Sequence, residues 1–168
     1  MERWANFLVI TSTAAATSIG LLFVLITLAV EKRPGEVAKI RLYLTPTVVM
    51  FGSVLGLAAL LTFPNQSRGS AMACVVVVGA LGVVYSVSLL MQRGGKRERF
   101  IEASDIVPYV ACPAAAYGLL AYGGVVLGEA AQRGLTIAAA GMLALLGLAL
   151  RNAWAIVVDV VTKPHREK

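Results

Sequence analysis

Charge, histidine and cysteine are all scarce in this chain of 168 residues, and each scarcity closes off a class of protein. Asp, Glu, Lys and Arg make up 14% of it, against about 25% in an ordinary soluble domain. The hydrophobic set accounts for 58% and the mean hydropathy is +0.80, well outside the soluble globular range. The one histidine, His165, sits in the terminal tail, so bis-histidine haem ligation and a paired-histidine metal site within one chain are excluded. The two cysteines, Cys74 and Cys112, lie inside apolar runs without CxxC or ligand-like spacing and read as small buried filler. No HExxH, GxSxG or nucleotide-binding glycine loop occurs. No Ser, Cys or Asp has a base partner at a comparable depth along its run. No catalytic, cofactor or metal site is therefore expected, and the chain reads as a non-enzyme.

The net charge of +6 raises the question of nucleic acid, but the basic residues form short clusters between apolar runs. No zinc pattern, aromatic-basic RNA motif or long basic helix accompanies them, so nucleic acid is set aside and membrane lipid is the expected surrounding.

Long apolar runs are what the chain has in abundance. Five of them, about 7–30, 42–63, 70–91, 106–127 and 135–158, approach or exceed the ~20 residues that a helix needs to cross a bilayer. The expected fold is all-α: one integral membrane domain, a polytopic transmembrane bundle of five helices. The 16 glycines and many alanines would fill a soluble core poorly, but in lipid they let helix backbones approach. No internal repeat relates the runs, and an odd number disfavours a transporter built from two simple halves.

The first run is not a cleaved signal peptide, because its most hydrophobic part, IGLLFVLITLAV, follows the AAA at 14–16 and continues too far. Asn6, Thr13, Thr17, Gly20, Thr27 and Glu31 recur at steps of three, four or seven and share one narrow helical face. That stripe should meet other helices by small-residue packing, with a solvated or substrate-facing stripe as the competing role. In the second run Pro46 falls in the opening turn, where a missing amide costs least, and Gly52 and Gly56 form a GxxxG step with Ser53 beside it. The VVVV of the third run is helical because its surrounding apolar segment is far longer than a strand. Ser104 or Asp105 is a fitting N-cap for the fourth run. Pro113, well inside that run, should free a carbonyl and bend the helix. Such kinks line some transporter sites, although proline is also an ordinary constituent of transmembrane helices. Tyr109 and Tyr122 read as interface anchors, while Tyr117 needs a hydrogen-bond partner if it faces protein.

Charge sets a direction. Lys32, Arg33, Lys39, Arg41, Arg93, Lys96, Arg97, Arg99, Lys163, Arg166 and Lys168 fall on one side of a five-span layout, and Arg3, Arg68 and Arg133 on the other. The positive-inside rule then puts the N-terminus outside and the C-terminus in the cytoplasm. The last run holds the stretch RNAWAIVVDVV, Arg151 to Val161. With the apolar span ending near Val158, Arg151 lies ~10 Å deep at helical rise. Three roles compete for it: snorkelling to the boundary, pairing with Glu31 or Asp159, and gating or anion coordination. Asn152 and Asp159, seven apart, share a face, and Trp154 reads as an interface anchor on the cytoplasmic side.

IGLLFVLITL at 19–28 and RNAW at 151–154 together resemble an uncharacterised group of small multi-span bacterial membrane proteins. The resemblance implies a multi-pass protein of the bacterial cytoplasmic (inner) membrane and carries over no substrate or catalytic residue. The leading expectation is a structural or regulatory protein of a homo-oligomer or larger membrane assembly. The alternative is an oligomeric ion channel or small-solute transporter, drawn from the polar stripe, the Pro113 kink and Arg151.

Overall fold

A computed structural model describes the backbone of residues 2–32, 37–91 and 106–162, and the side chains of 4–31, 43–89, 91 and 106–158. Five α-helices and one π-helical turn account for nearly all of it: α1 Glu2–Lys32, α2 Val37–Leu61, α3 Arg68–Met91, the π turn Val107–Ala111, α4 Cys112–Glu129 and α5 Ala131–Thr162. Each helix, with the π turn counted into the fourth, is long and apolar enough to cross a membrane. Several outrun their apolar cores. Hydrophobicity marks what can lie in hydrocarbon, whereas backbone hydrogen bonding continues until a breaker or cap ends it. Because α2 starts at Val37, Pro46 lies inside the helix and not in its opening turn.

Sequence neighbours are not always spatial neighbours. The α3–α4 and α4–α5 contacts are the most extensive; α2 packs mainly on α1 and α5 and touches α3 far less. Helices α2, α5, α4 and α3 thus form a four-helix group, with α1 laid along α2 and the edge of α5. The α4–α5 link is a single residue, Ala130, in an extended conformation. It permits so abrupt a reversal because Gly134 offers no Cβ where Leu127 presses against it. The α2–α3 link turns through Asn65, at φ 60°, a left-handed conformation that asparagine tolerates better than most residues. Ser67 then caps α3, its Oγ accepting from the Ser70 amide at 3.1 Å. Two bonds tie the helix ends on this side: Trp4 Nε1 donates to Gln132 Oε1 at 3.4 Å, and Arg68 Nε to the Leu127 carbonyl at 2.8 Å.

Helix α1 corrects one expectation. Its buried residues are Leu8, Ala15, Leu22 and Ala29, an unbroken seven-residue repeat, together with Thr11. That seam fits the 3.5-residue periodicity of left-handed helix packing. The stripe of Asn6, Thr13, Thr17, Gly20, Thr27 and Glu31 is exposed on the opposite side of the helix and meets no other helix among the described residues. Large apolar residues and a small-polar stripe compete for the bundle, and here the leucine-alanine seam takes the inside.

The glycine expectation is also corrected. A Cβ at Gly20, Gly52 or Gly56 would meet nothing within 4 Å, so these three mediate no close packing within the chain. Close approach occurs instead where α4 meets its neighbours: a Cβ at Gly79 would lie 2.5 Å from the Ala121 backbone nitrogen, and one at Gly123 2.7 Å from that of Ala138.

Candidate functional site

Buried Thr11, Thr47 and Ser86 return their hydroxyls to carbonyls of their own helices, and polar side chains bridge helices inside the bundle at two places. The first lies between α2, α3 and α4. Tyr117 is only 1% exposed, and its ring occupies the space that a side chain on Gly82 would need. Its hydroxyl lies 2.9 Å from Ser53 Oγ, and Ser53 also donates to the Val49 carbonyl at 2.8 Å. The partner that Tyr117 required is thus supplied from α2. On the outer side of this pair α2 and α3 diverge, leaving a lateral groove of about 410 Å³. Gly52, Ser53 and Gly56 line one wall, and Leu81, Gly82 and Tyr85 the other. The GxxxG step therefore shapes an open groove and not a helix contact.

The second place is the junction of α5 with the π turn. Asn152 is completely buried, and its Nδ2 donates to the Pro108 carbonyl at 3.3 Å. The geometry of the turn explains why that carbonyl is open. Within it the Cys112 amide bonds the Val107 carbonyl, five residues back. Continuing that register, residue 113 would bond Pro108, but Pro113 has no N–H to give. Asn152 supplies the missing donor. The irregularity expected at Pro113 thus takes the form of a widened turn just before it, which also gives the proline ring room, and Pro113 enters the first turn of α4 buried. Beside Pro108, Tyr109 is buried with its ring edge-on to Tyr43 at 5.1 Å between centroids. It is packed into the bundle and is not an interface anchor, whereas Tyr122 is exposed.

Arg151 completes this cluster. Its Nη1 donates to Asn152 Oδ1 at 3.1 Å, and its side chain is on the exposed face of α5. Among the described residues its partner is an amide and not a carboxylate. Glu31, one of the two expected partners, is exposed on the outward face of α1. The side chain of Asp159, the other, lies outside the described residues, as do the Ser104 or Asp105 cap and His165. Trp154 is 69% exposed, one turn beyond Arg151.

Sequence reasoning missed Tyr85, Gly82 and the role of the Pro108 carbonyl. The last had a signal: two prolines five residues apart, with a single asparagine in another apolar run. Among the described residues no group of three or more His, Cys, Asp or Glu is placed to hold a metal ion.

The fold defines a class, all-helical proteins with five helices each long and apolar enough to cross a membrane. Comparison with protein-family models, curated proteins and solved structures finds no match that would narrow the class further.

Proposed function

We propose that the protein is a non-enzymatic, multi-pass component of a membrane assembly, with a structural or regulatory role, and that it packs against a second copy or another membrane protein through the outward face of α1. One observation carries this reading: the polar stripe on that face is exposed and has no partner helix among the described residues. Within the stripe, Thr27 returns its hydroxyl to the Phe23 carbonyl. Asn6, Thr13 and Thr17 make no side-chain hydrogen bond among the described residues. In hydrocarbon such groups gain from an interhelical partner, by about 0.6 kcal/mol on average for one bond, and a seven-residue spacing lets several act along one seam.

Single cysteines at Thr13, Gly20 and Phe23, in a chain whose Cys74 and Cys112 are replaced by alanine, test the reading. Oxidative cross-linking in native membranes is expected at Thr13 and Gly20 and not at Phe23, which is exposed but off the stripe. A chain that stays uncross-linked at both stripe positions and runs alone on purification would sink the proposal. The stripe, Pro113 and Arg151 do not converge within one chain, so a conducting path would need stripes from several copies. Ion or small-anion flux in proteoliposomes, abolished by Thr13→Val with Thr17→Val, would replace packing by conduction.

A further inference from the structure

Arg151 has a second feature that the proposed assembly does not use. It sits seven residues before Val158, the last apolar residue ahead of Asp159, or ~10 Å along the helix axis. At that depth a lone guanidinium usually snorkels toward the boundary. Here it is tethered. The nitrogen of the buried Asn152 amide is committed to the Pro108 carbonyl, so its oxygen faces outward and accepts from Arg151. The opposite amide orientation would set donor against donor and acceptor against acceptor.

A guanidinium carries five N–H donors in a planar fork, and the bond to Asn152 uses one of them. Among the described residues no other acceptor bonds Arg151. The exposed face of α5 beside it is apolar: Trp154 lies one turn and Val158 two turns nearer the end of the span. A held, planar cation with donors left over matches two oxygens of a phosphodiester. A free anion would have to leave water to reach this surface, whereas a phospholipid brings its phosphate attached to chains that suit the apolar flanks. Local bilayer thinning around a buried arginine brings headgroups toward such a depth.

We propose that Arg151, held in place by Asn152, binds the phosphodiester of a phospholipid in the leaflet at the basic end of the bundle. Anionic lipids are favoured there, because the basic links and tail belong to the same side.

Native mass spectrometry of the full-length protein, released from dodecylmaltoside micelles carrying phosphatidylglycerol or the phosphate-free digalactosyldiacylglycerol, tests this. Wild type is expected to retain phosphatidylglycerol, and Arg151→Gln to bind it about tenfold more weakly, the loss of one or two charge-assisted bonds. Arg151→Lys should fall between the two, since an ammonium lacks the fork. Asn152→Ala should weaken retention while leaving the arginine present, which an untethered surface charge would not show. Should Asn152→Ala fail to fold, the exposed-site pair Arg151→Gln and Arg151→Lys decides. Equal retention of phosphatidylglycerol by wild type and Arg151→Gln would overturn the proposal. So would equal, Arg151-dependent retention of the phosphate-free lipid. Inorganic phosphate binding to lipid-free protein with the same dependence on Arg151 would overturn the lipid assignment in favour of a free anion.

Discussion

At the scale of single residues, the bundle handles each polar group by what lies within reach of it, and Tyr117 is the clearest case. Its hydroxyl is matched by Ser53, and its ring fits because Gly82 has no side chain. The two contributions differ in size. Tyr117→Phe removes one interhelical hydrogen bond, and Ser53 keeps its bond to Val49, so a loss of only about 0.6 kcal/mol is expected. Gly82→Ala drives a methyl into the ring and should cost ~1–3 kcal/mol through overpacking. Gly56→Ala enters open space and should be close to neutral. Reversible unfolding of the three variants in mixed micelles checks the order; a Gly56 variant as damaged as the Gly82 variant would contradict the open groove. The need for a partner at Tyr117 was legible from a phenol inside an apolar run. Ser53 was not, because 64 positions separate the two and only the placement of α2 against α4 brings them together. The glycine pattern misled for a related reason. GxxxG says where a helix is thin, and the partner helix decides whether that thinness is used.

At the scale of elements, the π turn and α5 form one device. Pro113 withdraws a donor from the helix and Asn152 returns one from across the bundle. Each residue therefore has a measurable dependence on the other. Asn152→Ala strands the Pro108 carbonyl and removes the acceptor of Arg151, which should cost ~1–3 kcal/mol. Pro113→Ala restores an amide that can bond within its own helix, so Asn152→Ala made in that background should cost clearly less. A double-mutant cycle with coupling of at least ~0.5 kcal/mol is the expected outcome. Strict additivity of the two substitutions would show that Asn152 is not compensating for the proline. The sequence announced a defect at Pro113 and a polar residue at position 152, but not that one repairs the other. Periodicity along one helix carries no information on which helix lies opposite. Helix α1 makes the same point. Its two seven-residue patterns, Leu8-Ala15-Leu22-Ala29 and Asn6-Thr13-Gly20-Thr27, are equally regular, and choosing the inward one depends on the shape of the α2–α5 surface that receives it.

At the scale of the whole molecule, the five-helix layout places all helix ends in two sets, and the link charges divide the same way. The starts of α1, α3 and α5 lie with the ends of α2 and α4, held by the Trp4–Gln132 and Arg68–Leu127 bonds. The other set adjoins the segments 32–41 and 92–105 and the tail from 163, which hold eleven of the basic residues. Those residues are spread over three separate segments, so orientation should withstand loss of any one of them. Neutralising Lys32, Arg33, Lys39 and Arg41 still leaves seven basic residues facing three, so an N-out orientation is expected of both the native and the neutralised chain. Single cysteines at Asn65 and Lys168, in the Cys74 and Cys112 alanine background, provide the measurement. A membrane-impermeant maleimide applied to intact cells should label Asn65→Cys and leave Lys168→Cys unmodified until the membrane is opened, in both the native and the neutralised chain. Labelling at position 168 in intact cells carrying the native links would reverse the orientation and move the Arg151 site to the outer leaflet. Labelling there only in the neutralised chain would assign the orienting role to the first link alone.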